Sequence, residues 1–216
     1  MLDYDDSPEQ QKERRKLVES ILEKGINNKR VLDAISEIPR QYFMPPELAS
    51  EAYTDRAFPI GEGQTISQPY TVAYQTQLLD VRSSDRVLEI GTGSAYQAVI
   101  LAELAAEVFS IERQKKLYDR NQEFAYLRMF NNLHLFYGDG YEGLPEYAPF
   151  DRILITAAAP YVPKELTDQL KEGGRMVLPL GKENPQKMMR ITRQEGQLHE
   201  EQFDYFSFVP MVEGKE

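Results

Sequence analysis

Glu89, Gly91, Gly93 and Glu112 are the residues whose types and spacing point most directly to chemistry. The first three lie in residues 86–104, R-V-L-E-I-G-T-G-S-A-Y-Q-A-V-I-L-A-E-L. Val87, Leu88 and Ile90 form a short apolar run of strand type, broken by Gly91-Thr92-Gly93. From Ala95 the spacing turns helical, with Ala98, Leu101, Ala102 and Ala105 recurring at helical intervals. A strand feeding a glycine turn that opens a helix lets backbone approach a nucleotide-like ligand and offers unpaired N–H groups to it. The dinucleotide fingerprint Gly-x-Gly-x-x-Gly asks for a last glycine where this chain has Tyr96. Glu89, just before the turn, would repel a pyrophosphate. A phosphate-free ligand carrying a positive charge or an amine fits better. Glu112 lies about 20 residues past the turn, where an acidic residue accepts hydrogen bonds from ribose hydroxyls. The plain alternatives are an ordinary βα turn and a solvated charge at a helix start.

Composition narrows the choice. The chain has 216 residues, a formal net charge of −10, no cysteine and two histidines, His134 and His199. That length buries a sizeable core. The negative charge disfavours nucleic-acid binding. Lack of cysteine excludes disulfides and thiol catalysis, and agrees with a cytoplasmic location. The histidines share no metal-ligand spacing, so no metal is expected. No apolar run approaches the roughly 20 residues that span a bilayer. The acidic start M-L-D-Y-D-D-S-P does not resemble a signal peptide.

The elements that must hold these residues are legible in order. Ser7-Pro8-Glu9-Gln10 predicts a capped helix start, with Gly25 at the end. A second helix is predicted over 28–38, with Val31, Leu32 and Ile35 on its buried side. Gly61-Glu62-Gly63 predicts a loop, and Pro69 a helix start for which Ser67 is a candidate cap. Strands are predicted at 108–111, 133–137, 152–155 and 176–180, with antiparallel strands at 188–193 and 203–208. Helices are expected over 113–129 and 164–170, the latter ended by Gly173-Gly174. The small residues Ala157, Ala158 and Ala159 leave room for a ligand beyond a strand end.

The stretch V-L-E-I-G-T-G-S resembles the first motif of the class I S-adenosylmethionine-dependent methyltransferases. P-R-x-x-F-x-P from Pro39, A-Y-x-D-x-A-x-P-I-G from Ala52 and G-Q-T-I-S-Q-P from Gly63 sharpen the resemblance. With G-D-G and P-F-D they are similar to the signatures of the protein-L-isoaspartate (D-aspartate) O-methyltransferases. The likeness runs from about Pro39 to Gly181. It departs at Gln41, often histidine in the family, and at Ala95, in place of the usual third glycine.

The resemblance implies one Rossmann-like α/β domain with a mostly parallel, doubly wound sheet, an N-terminal helical cap and antiparallel C-terminal strands. Residues 1–80 would form the helical and substrate-loop region, and 81–216 the cofactor-binding sheet and last strands. It implies S-adenosylmethionine held by Glu89, Gly91, Thr92, Gly93, Glu112, Asp139, Gly140 and Gln186. Glu89 would lie near its methionine part and Asp139 near its adenine. Thr65, Ile66, Ser67 and Val209 would line the substrate site, with Ser67 the key hydroxyl. The implied reaction methylates the free α-carboxylate of L-isoaspartyl and D-aspartyl residues in damaged proteins and peptides, and repair follows through a succinimide. A monomer acting on such proteins and peptides is expected, with no nucleic-acid or membrane partner. The competing readings are a methyltransferase of another substrate and a cofactor-binding protein that has lost catalysis. Ala95 is expected inside the first helical turn with negative φ. A positive φ, or a methyl group blocking the cleft, favours the non-catalytic reading.

Overall fold

The computed structural model describes residues 6–216. Ser7 caps α1 (Pro8–Glu23): its hydroxyl accepts from the Gln10 N–H, and the Gln10 side chain accepts from the Ser7 N–H. Asn28 caps α2 (Lys29–Glu37), which buries Val31, Ala34 and Ile35 and leaves Leu32 half-buried. Two 3-10 turns, Arg40–Phe43 and Pro46–Glu51, lead to a hairpin of β1 (Phe58–Gly61) and β2 (Gln64–Ile66). The predicted loop at 61–63 is its tip. Helix α3 (Pro69–Leu79) follows.

The sheet is built from β3 (Arg86–Ile90), β4 (Glu107–Glu112), β5 (Leu133–Tyr137), β6 (Phe150–Ile155), β7 (Leu170–Leu180), β8 (Gln186–Gln194) and β9 (Gln197–Phe206). Helix α4 (Tyr96–Leu104) connects β3 to β4, α5 (Lys115–Glu123) leads toward β5, and α6 (Lys164–Asp168) precedes β7. The spatial order is β5-β4-β3-β6-β7-β8-β9. The first five strands are parallel, and β8 and β9 run antiparallel at one edge. This is the expected mostly parallel sheet, and the order of its last strands is now fixed. Successive residues of a strand face opposite sides. Val87, Val108, Leu154 and Val177 join the apolar cluster shared with α1 to α4. Leu88, Phe109, Ile153 and Met176 join the cluster that includes Leu166 of α6.

Two element predictions fail for identifiable reasons. The helix expected over 113–129 ends at Glu123, and Ala125–Met129 is a 3-10 turn. Phe124 turns extended there, and its ring packs edge-on against Phe43 with centroids 5.4 Å apart. The helix expected over 164–170 stops at Asp168, because Leu170 already pairs with Phe150 as the start of β7. Gly173-Gly174 lies inside that strand as an irregularity: a Cβ on Gly174 would come within 2.7 Å of the Lys171 carbonyl oxygen.

Candidate active site

The strand order reverses between β3 and β6, and beyond their C-terminal ends lies a cleft of the kind that holds ligands in open α/β sheets. One wall is the glycine loop. Gly91 has φ +98°, and a Cβ there would lie 2.5 Å from Thr156 Oγ1, so glycine alone lets β3 and β6 converge here. The N–H groups of Gly91 and Thr92 both donate to the Ile111 carbonyl. The Gly93 N–H donates to Glu112 Oε2 at 2.8 Å, and the Gln114 N–H to Glu112 Oε1 at 2.8 Å. Glu112 is thereby fixed at the end of β4 with its carboxylate on the cleft. Burial raises its pKa, opposed by the hydrogen bonds from Gln114 and Gly93. Its remaining lone pairs are acceptors, suited to hydroxyl donors such as a ribose diol.

The structure overturns the expected torsion of Ala95. The residue caps α4 at φ +70° and ψ 7°, in the left-handed region that favours glycine. The chain must reverse between Gly93 and Tyr96 to enter α4, and this one residue absorbs the turn. Its methyl group does not block the cleft. Ala95 is fully buried in the apolar cluster with Tyr96 and Ala98, and it is not among the residues lining the cleft.

The opposite wall is carried by the hairpin, whose β2 and following residue bring Thr65, Ile66 and Ser67 to the cleft. Gln68, not Ser67, occupies the cap position of α3. Ser67 instead stands where two cavities join. One lies over the glycine loop; the other is bounded by Tyr70, Tyr205 and Phe208. Thr65, Ser67, Thr156 and Val209 line both.

Three expected cofactor residues stand behind this lining. Glu89 is fully buried; alternation along β3 turns it away from Leu88 and Ile90, toward its register partner Ser110. Ser110 Oγ donates to Glu89 Oε2, and Thr92 Oγ1 lies 2.6 Å from Ser110 Oγ. Burial, with Glu112 nearby, pushes the Glu89 carboxyl up to about 8 against the Ser110 hydrogen bond. Asp139 accepts from the Tyr141 N–H at 2.9 Å and the Gly214 N–H at 2.6 Å, while its neighbour Gly140 lines the cleft. Gln186 is buried and accepts from the Phe208 N–H at 3.0 Å, one residue before Val209.

Residues 11–216 match the family described as Protein-L-isoaspartate(D-aspartate) O-methyltransferase (PCMT). This chain belongs to that family. It is 51% identical over 211 residues to the protein-L-isoaspartate O-methyltransferase of Flavobacterium psychrophilum, across 97% of this chain and 99% of that one. With the enzyme of that name from Dictyoglomus thermophilum it shares 46% over 206 residues, 95% of this chain and 94% of the other. A solved protein-L-isoaspartate O-methyltransferase superposes with a TM-score of 0.81 at 28% identity, over 91% of this chain and 65% of that one. One from Plasmodium falciparum, in complex with S-adenosyl-L-homocysteine, gives a TM-score of 0.81 at 24% identity, covering 92% and 98%.

Within the isoaspartate methyltransferase frame, several lining residues carried no readable sequence signal. Thr156 Oγ1 donates toward the Ile90 and Gly91 carbonyls, at 2.9 and 2.8 Å, a contact set by the pairing of β3 with β6. Met211 and Val212 reach the cleft because residues 209–211 bridge to Ala158 and Arg113 Nε donates to the Gly214 carbonyl. Gln97 lines the cleft with its Nε2 tied to Thr76. Among the described residues, no group of three or more His, Cys, Asp or Glu could hold a metal, and no helix is long and apolar enough to cross a membrane.

Proposed function

We propose that this protein methylates the free α-carboxylate of L-isoaspartyl and D-aspartyl residues in damaged proteins and peptides, with S-adenosylmethionine as donor. The observation that carries the reading is the junction at Ser67. One cavity there is floored by the glycine loop and Glu112, and a second opens beside it toward Tyr70 and Tyr205. A donor in the first and a peptide in the second would meet at Ser67, Thr65, Thr156 and Val209. When bound, the cofactor supplies a methyl group activated by its sulfonium.

The residues present fit such a group. Glu112 offers acceptors to ribose hydroxyls. Gly140 lines the cleft, and a Cβ there would lie 2.4 Å from Ile90 Cγ2, so only glycine lets its backbone pass this close to β3. Asp139 and Gln186 hold the segments that carry Gly140 and Val209. An aspartate-like carboxylate, with a reference pKa of about 3.9, is already ionised at neutral pH. No general base is needed, and neither histidine lines the cavities. The work left to the chain is to hold the carboxylate oxygen in line with the methyl carbon and to exclude water. Ser67 would donate to the other carboxylate oxygen. The neighbouring backbone amide nitrogen then attacks the ester carbonyl spontaneously and expels methanol, and water opens the resulting succinimide in part to normal aspartate.

The positive φ of Ala95 is the observation favouring a catalytically dead relative. Its weight is small, because the methyl group is in the core and not in the cleft. A donor-binding enzyme for another substrate has no use for Thr65-Ile66-Ser67 at the junction. The deciding experiment pairs an isoaspartyl peptide with its aspartyl twin, using wild type and Ser67→Ala. Wild type should methylate only the first. Ser67→Ala should turn over more slowly with S-adenosylhomocysteine affinity nearly intact. Equal methylation of the twins would overturn the assignment; an unchanged mutant rate would remove Ser67 from it.

A further inference from the structure

Adjacent residues of α5 hold the two walls of the cleft. Asn121, which is buried, donates from Nδ2 to the Gly93 carbonyl at 2.9 Å and fixes the glycine loop from behind. One residue earlier, Arg120 Nη1 donates to the Ile60 carbonyl of β1 at 2.8 Å. Strand β1 pairs with β2 through Phe58↔Ile66, Pro59↔Thr65 and Gly61↔Gln64, and Ile60 lies at the irregularity between the last two pairs. Its anchor therefore bears on Thr65 and the residues after it through its chain neighbours Pro59 and Gly61. The walls also approach each other closely: a Cβ on Gly93 would lie 3.5 Å from Ile60 Cδ1.

The two walls are not equally secured. The glycine loop has a second tie, the Gly93 N–H to Glu112. The hairpin is seated by the buried side chains of Phe58, Ile60 and Ile66, but apolar packing is non-directional. Beside Arg120 it has the Lys116–Glu62 pair at 3.2 Å, exposed enough to hold little.

We infer that Arg120 is a positioning residue for methyl transfer, setting the reach of Ser67 across the cleft while Asn121 and Glu112 set the donor side. The inference rests on the assignment of Ser67 to the substrate carboxylate. A reaction that depends on alignment alone is sensitive to it, since about 1 Å of misplacement can cost 10²-fold in rate. Arg120 lies at the surface, so its replacement leaves the core intact.

The test compares wild type, Arg120→Ala, Arg120→Lys and Asn121→Ala. It measures single-turnover methylation of an isoaspartyl peptide, S-adenosylhomocysteine affinity by calorimetry, and hydrogen exchange of the amides in 58–66. Arg120→Ala should lose about tenfold in rate, roughly half an ångström of displacement on that scale, and exchange faster in the hairpin. Its S-adenosylhomocysteine affinity should stay within twofold, and Arg120→Lys should recover part of the rate. Asn121→Ala should lose affinity instead. An Arg120→Ala rate within twofold of wild type, or a rate loss matched by an equal affinity loss, overturns the inference. Wild type inactive on the isoaspartyl peptide would overturn the reading beneath it, a separate result.

Discussion

Replacing Ala95 by glycine tests how a left-handed alanine is tolerated at the start of α4. At φ +70° an L-residue is strained by about 1–2 kcal/mol, which glycine relieves. Against this, glycine frees the unfolded chain by about 0.4–1 kcal/mol. The fully buried methyl group is also lost, at about 0.8 kcal/mol. The opposing effects nearly cancel, so Ala95→Gly should change stability by less than about 1 kcal/mol. This explains why alanine persists where strain alone would select glycine. Ala95→Val should be worse by about 2 kcal/mol or more, because a β-branched residue meets both the torsion and the packed core. Urea unfolding with linear extrapolation reads both variants, and calorimetry with S-adenosylhomocysteine reads the cleft. A glycine variant stabilised by more than about 1 kcal/mol would mean that the methyl contributes little packing. A change in cofactor-product affinity beyond threefold would mean that it reaches the cleft, and the argument for its harmlessness would fail.

Glu112→Ala should weaken S-adenosylhomocysteine binding by about 1–3 kcal/mol, the worth of hydrogen bonds to a charged acceptor, and unchanged affinity would take Glu112 out of the site. Glu89 is a buried acid whose folded-state pKa is raised from 4.5 to about 8, so the folded state binds its proton more tightly than the unfolded chain does. Its contribution is therefore full below pH 4.5 and is lost as pH rises through about 8. Glu89→Gln, which cannot ionise, should gain in relative melting temperature between pH 5 and 8, and parallel curves for the two proteins would refute the burial argument.

What the sequence made legible followed from local pattern. The run from Val87 through Gly91 to Leu104 marks strand, turn and helix because period and punctuation change together there. Ser7 and Gln10 specify their helix start within four residues of chain. From its neighbours alone Ser67 reads as a cap, and only the wider signature around it points to the site; the fold gives the cap position to Gln68. The failures are non-local. Phe124 leaves the helix to meet Phe43, which lies some eighty residues earlier. Gly173-Gly174 ends an apolar pattern just as a helix stop would, yet it serves a strand whose partner is Phe150. Ala95 permits a helix and gives no sign of the reversed turn that the chain needs. Met211 and Val212 reach the cleft through contacts with Ala158 and Arg113 that no local pattern announces.

The loop disfavours phosphate for a different reason from the one the sequence suggests. Repulsion by Glu89 requires an ionised carboxylate facing the ligand. In the fold that carboxyl is behind the loop, fully buried, and protonated at neutral pH by its raised pKa of about 8. A glycine loop cradles phosphate by aiming free N–H groups at it. Here the donors of Gly91 and Thr92 go to the Ile111 carbonyl, that of Gly93 to Glu112, and that of Ala95 to the Thr92 carbonyl. The Tyr96 N–H turns to Ser94 Oγ at 3.4 Å. These five donors are turned onto the protein, and the loop presents the acceptors of Glu112 beside them. Such a surface suits hydroxyl and ammonium donors, and Ala95 belongs to the same arrangement: its N–H donates to the Thr92 carbonyl, and its left-handed torsion turns the chain from there into α4.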